Sequence, residues 1–228
     1  KIVPDGHNGL LLSGTFTGTA NLNPAGTTQL TAAAPSAPAD GFLEKTDASF
    51  HTLWADDLGD VRAFSLNGLA ADAAGNAVAD GILQGSADVD PGPAVHTVTS
   101  SHGSAWLATY TAALGKLSWI KSMGQTTDPY GAAWFTSLSI DANGNYLLGG
   151  DFGGTVDIDP GPAVHTITES VSPDGYTGFF LKLDRNANFL FAGALRGDWW
   201  SDVTSVLANP DGTFYISGEV SDYANFNP

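Results

Sequence analysis

Asp141-Ala-Asn-Gly-Asn-Tyr-Leu-Leu-Gly-Gly150-Asp-Phe-Gly-Gly-Thr-Val-Asp-Ile-Asp-Pro-Gly-Pro162 joins an Asx-Gly turn, an apolar run closed by glycine, and a second Asp-rich turn. The chain writes this stretch once in full and three more times in variation. Gly14, Gly81, Gly150 and Gly218 close the four apolar runs, so successive copies stand 67, 69 and 68 residues apart. Self-similarity at a fixed period marks a repeat architecture, and the period here is about 68 residues.

Each full copy holds about four apolar runs of strand length separated by Asp/Asn-Gly turns, without a 3.6-residue period. In the third copy these are Ser137-Leu-Ser-Ile-Asp141, Asn145-Tyr-Leu-Leu-Gly-Gly-Asp-Phe152, Phe179-Phe-Leu-Lys-Leu-Asp184 and Phe189-Leu-Phe-Ala-Gly-Ala-Leu195. Val3 to Gly9 reads as a turn before the first such run, Leu10 to Phe16. Tyr146-Leu-Leu148 and Phe179-Phe-Leu181 are apolar on successive residues, which requires both faces of the strand to be covered. Face-to-face packing of neighbouring sheets meets that requirement. The expected fold is therefore all-β, a β-propeller-like array of four-stranded blades. A parallel β-helix is the alternative, but its coils are much shorter than this period. The units run 1–66, 67–135, 136–203 and an incomplete 204–228. Residues 1–24 and 204–228 are versions of the same third of a unit, so the expected array is an open arc rather than a closed ring.

Asp141-Ala-Asn-Gly-Asn-Tyr-Leu-Leu-Gly-Gly150, Gly178-Phe-Phe-Leu-Lys-Leu-Asp184, Asn188-Phe-Leu-Phe-Ala192 and Gly197-Asp198 together resemble the bacterial SBBP-type β-propeller repeat. The form with Gly-Thr-Val-Asp-x-Asp-Pro-Gly is similar to that of large exported bacterial proteins. The resemblance implies a propeller in an exported setting, extracellular, cell-surface or periplasmic, and carries no shared catalytic residues. The first copy departs from the pattern, with Asn21 and Asn23 in place of paired aspartates and Glu44 inside an apolar run.

The 24 acidic and 8 basic residues leave a formal net charge of −16. Such a chain repels phosphate backbones and anionic lipid, so nucleic acid is not an expected partner. No apolar run reaches the roughly 18 residues of a membrane-spanning helix, and no membrane insertion is expected. Without cysteine, neither a disulfide framework nor a thiolate metal site can form. Asp supplies 21 of the acids and Glu only three. Short carboxylates suit turns and hard-cation sites better than helix surfaces, which places the acidity in turns.

Asp88/Asp90 and Asp157/Asp159 lie two apart, a spacing that puts both carboxylates on one side of an extended strand. Three readings stand: Asx-type turns leading into Pro-Gly, Ca²⁺ ligation, and an acid–base pair. A catalytic pair repeated in successive blades would serve no single site, and Asn21/Asn23 and Asn225/Asn227 keep the turn shape without the charge. Trp54, Trp119 and Phe191 share one phase of the repeat, so a large aromatic there reads as core packing. His96 and His165 also share a phase. No nucleophile elbow, phosphate loop or His-Glu-x-x-His pair is present, so no enzyme is expected.

Two inter-unit loops fall at equivalent phases and so on one rim. Tyr130 and Trp134 in one, with Asp198, Trp199 and Trp200 in the other, are candidates for a glycan or partner-protein platform; the competing reading wedges these aromatics between blades. The expectation is a non-enzymatic structural or protein-interaction module of an exported surface protein or assembly, partnered by proteins or further blades. The alternative is a carbohydrate-binding or carbohydrate-active propeller.

Overall fold

The structure, a computed structural model, describes residues 1–23, 28–32, 39–60, 62–92, 94–124, 126–128, 130–169, 175–197, 199–221 and 224–225. Among these residues there is no helix, and the strands form antiparallel sheets. The first unit contributes β1 (Ile2–Pro4), β2 (Leu10–Phe16), β3 (Thr19–Asn21), β4 (Gln29–Thr31), β5 (Asp40–Thr46) and β6 (Thr52–Asp60). Strands run across the expected unit bounds at 66/67 and 135/136, so the second and third units begin a few residues earlier than expected; the second contributes β7 (Phe64–Ala71), β8 (Ala77–Asp88), β9 (Thr97–Tyr110) and β10 (Leu117–Met123). The third comprises β11 (Ala132–Ile140), β12 (Tyr146–Gly153), β13 (Thr155–Asp157), β14 (Thr166–Thr168), β15 (Thr177–Leu183) and β16 (Phe189–Gly197). After them come β17 (Ser205–Ala208), β18 (Phe214–Ser217) and β19 (Ala224–Asn225).

Three sheets with the orders β1-β2-β5-β6, β7-β8-β9-β10 and β11-β12-β15-β16 follow one another along the chain, and β19 adds to the outer edge of the third. Ile2–Pro4 is thus a strand, not part of the expected turn. Its pairing with Leu10–Leu12 outweighs the turn signal of Pro4, whose missing N–H costs nothing on an edge strand. The second and third strands of each unit reach beyond the sheet as a ribbon. In units one and three it is a separate pair, β3-β4 and β13-β14, whereas in unit two β8 and β9 run on continuously with a register shift between Leu83 and Gly85.

The sheets stack face to face. Leu11, Leu43, Trp54 and Leu58 of the first meet Phe64, Leu69, Ala79, Val89 and Trp106 of the second unit in one buried cluster. Val78, Leu107 and Met123 meet Phe135, Tyr146, Leu148, Phe179 and Leu181 in the next. Leu147 and Leu195 then pack against Val203 and Val206. Successive residues of Tyr146-Leu-Leu148 therefore enter different clusters, as expected of a strand covered on both faces. The shared aromatic phase bridges units: Trp54 Nε1 donates to the Ala112 carbonyl at 3.0 Å, Trp119 meets Tyr146 edge-on, and Phe191 stacks on Phe214.

Turn chemistry explains the short connections. Asp141 Oδ1 accepts from the Asn143 and Asn145 amides at 2.9 Å, while Gly144 takes φ +82°. The same pattern recurs at Asp72, Asp47 and Asp184. Lys182 closes on Asp141 at 2.9 Å and Lys45 on Asp5 at 3.0 Å, both pairs buried. Lys45 also donates to the Gly75 carbonyl of the next unit. Burial opposes ionisation of Asp141, but the Asn145 side chain, Lys182 and two amides outweigh it and hold the carboxyl at about 2.

Candidate functional site

The rim loop before β11 is built around Asp128. Its Oδ1 accepts from the Tyr130 amide at 3.0 Å and its Oδ2 from the Thr155 amide at 2.9 Å, while Thr126 Oγ1 donates to the Thr155 carbonyl. These bonds tie the loop to the start of β13. There the chain turns through Gly153 and Gly154, the latter at φ +64°, a conformation costly for any residue with a Cβ. Glu169, just past β14, closes the base of this ribbon: its amide donates to the Gly154 carbonyl at 2.8 Å and its Oε2 accepts from the Gly154 amide at 2.9 Å.

Tyr130, Trp134, Gly153, Gly154, Glu169 and Tyr176 line a pocket of about 250 Å³ together with Gly175. Trp134 and Tyr176 form two of its walls, edge to face with centroids 5.0 Å apart and planes at 83°. Tyr130, 74% exposed, forms the lip. Glu169 Oε1 is buried and has no hydrogen-bond partner. Burial pushes its carboxyl above the usual range, the Gly154 amide pulls it down, and the Asp128 charge pushes it up.

The pocket joins two residues of the sequence-derived site, Tyr130 and Trp134, with two that sequence reasoning missed, Glu169 and Tyr176. The available signal was Glu169 itself, one of three glutamates in a chain that otherwise uses aspartate. Trp199, 62% exposed, and Trp200 do not line the pocket, although Ser201 donates its amide to the Tyr176 carbonyl at 3.0 Å. Tyr130 and Trp199 stand in solvent rather than wedging between sheets. Asp198 lies outside the described residues.

A second cavity, about 470 Å³, is lined by hydroxyls including Ser100, Ser104, Thr126 and Thr127. Its buried Ser100 and Ser104 hydroxyls bond each other at 2.8 Å, so its wall is already satisfied.

The paired aspartates sit at the tips of the ribbons. Asp88 and Asp157 end β8 and β13, and Asp90 and Asp159 lie past the strands, so the two carboxylates of a pair do not share a strand face. The following Pro91 and Pro160 have no N–H to continue a ladder. Asp157 Oδ1 accepts from the Asp159 and His165 amides at 3.1 and 2.9 Å, and Asp159 Oδ1 from Gly161 at 2.7 Å. Asp88 and Asp90 repeat this with His96 and Gly92. Asn21 Oδ1 accepts from Asn23 in the same way. His165 stacks on Phe189 and reaches Asp159 Oδ2 at 2.7 Å, whereas His96 stands exposed. Asn227 and the side chain of Asn225 lie outside the described residues. Among the described residues no three His, Asp or Glu side chains converge as a metal site. The chain matches no family model. No curated protein matches it.

Proposed function

We propose that this chain is a non-enzymatic structural or protein-interaction module, an open arc of SBBP-type propeller blades in an exported bacterial surface protein or assembly. Its partner is a further sheet of the same repeat type, from a longer chain or another subunit. One comparison supports this reading. Ile2, Leu69 and Leu138 hold the same register place, opposite Leu12, Ala79 and Leu148. Leu69 is 6% exposed beneath its neighbouring sheet, whereas Ile2 is 68% exposed. Along the same face of the first sheet, Leu10, Leu12 and Phe42 are half-buried at places where Tyr146, Leu148 and Phe179 are buried. At the other end, Tyr215, 67% exposed, and Leu207 turn away from the third sheet.

Faces patterned for burial and left open are interaction surfaces, and non-identical open faces associate head to tail. The test is sedimentation across a concentration series. Self-association is expected, and Ile2→Asp or Tyr215→Asp should abolish it without changing the melting temperature. A strict monomer at about 100 μM, a concentration where a micromolar contact registers, would reject assembly from separate subunits and leave only a sheet of the same longer chain as the partner.

A further inference from the structure

We propose that the pocket between Trp134, Tyr176 and Glu169 binds a neutral sugar residue. Three features carry this inference. The first is shape and size: about 250 Å³ lies below the roughly 300–1,000 Å³ of sites for drug-sized ligands, which suits a single ring rather than a peptide segment. The second is the wall chemistry. Trp134 and Tyr176 present aromatic surface at nearly right angles, with Tyr130 at the lip, and the C–H face of a pyranose packs against such rings.

The third is Glu169 Oε1. A buried carboxylate oxygen without a donor is costly, and native structures rarely leave one unexplained. Its sister oxygen and its amide are held by Gly154, so the carboxylate is fixed in place. Glu169 lines the pocket, and a ring hydroxyl would give Oε1 the donor it lacks. Gly153 and Gly154 keep side chains out of the space: a methyl group on Gly153 would lie 3.6 Å from the Tyr176 ring. The charges of Glu169 and Asp128, within a chain of net charge −16, disfavour an anionic sugar.

The experiment is saturation-transfer NMR on the whole chain with glucose, galactose, mannose and N-acetylglucosamine, and with glucuronate as the anionic control. At least one neutral sugar should receive saturation on its ring C–H protons, with affinity in the millimolar range expected of a small shallow site. Glu169→Gln and Tyr130→Ala should each weaken this by about tenfold, because one turns the acceptor into an amide and the other removes the lip. Both variants should melt as wild type does, since Tyr130 is exposed and Gln keeps the shape of Glu. No transfer to any neutral sugar at about 20 mM, well above such a Kd, would overturn the proposal. So would transfer that survives both substitutions, or glucuronate binding better than every neutral sugar.

Discussion

Asn67 of β7 donates its Nδ2 to the Phe135 carbonyl of β11 at 2.8 Å, and the two residues are 68 positions apart. The next junction is stitched at the same interval. Thr136 Oγ1 donates to the Val203 carbonyl, and Ser137 Oγ and Ser139 Oγ accept from the Val206 and Ala208 amides, at separations of 67 and 69. Polar side chains at the first strands of the second and third sheets thus reach the corresponding stretch of the next. Asn67→Ala should cost about 1 kcal/mol, the net worth of one such bond, by denaturant unfolding. A wild-type midpoint would show that the Asn67 bond does not hold the sheets together.

Gly81, Gly150 and Gly218 face a common constraint. A methyl group on Gly150 would lie 1.9 Å from the Trp134 carbonyl oxygen, on Gly81 1.7 Å from that of Ser65, and on Gly218 2.0 Å from that of Asp202. Register shifts at Leu66/Gly68 and Phe135/Ser137 press the first two of these backbones together. Gly150→Val should destabilise by about 1–3 kcal/mol through overpacking. Gly14 meets the Phe42 ring at 2.8 Å, which can rotate away, so Gly14→Ala should cost less. Equal melting shifts for the two would contradict this account.

Asp80 is fully buried in the second sheet, and neither carboxylate oxygen has a hydrogen-bond partner. Burial pushes its pKa up to about 7; the nearby Gly68 amide, which forms no full hydrogen bond to it, and the Lys1 charge offset only part of the effect. A folded-state pKa above the unfolded value favours the protonated native state. The contribution is therefore complete below about pH 4 and lost as the pH rises through about 7. Burial raises Asp56 and Asp151 to about 6, next to Asp90 and Asp202 respectively, and these add to the same slope. Thermal melts from pH 4 to 8 should show falling stability. Asp80→Asn should flatten that fall and raise stability at pH 8 by about 1–2 kcal/mol. A variant less stable than wild type at pH 8 would show that the buried charge is compensated.

Asp157 acts in its ribbon through one carbonyl-like oxygen, Oδ1, which asparagine also supplies. Asp157→Asn should melt within about 0.5 kcal/mol of wild type, whereas Asp157→Ala should cost about 1 kcal/mol. Millimolar Ca²⁺ should leave both melting curves unchanged. A calcium-induced rise in wild type that Asp157→Asn abolishes would instead assign the pair as a cation site.

Local chemistry made much of the fold legible in the sequence. The interval between Gly14, Gly81, Gly150 and Gly218, the Asp-x-x-Gly turns and the doubly apolar run at Tyr146 specify antiparallel strands covered on both faces. The turns and the apolar run depend on neighbours a few residues away, and the interval is read by comparing positions along the chain. Which faces meet, and what each meeting leaves exposed, was decided by tertiary structure. Leu69 has the pattern and register of Ile2, and its burial comes from the first sheet, which packs over it from about sixty residues away in the chain. Glu169 and Tyr176 joined Tyr130 and Trp134 through the β13-β14 ribbon, a fold-back that a search for aromatic pairs does not see. Asp80 reads as one aspartate among 21, and its unmet carboxylate exists only where two sheets exclude water.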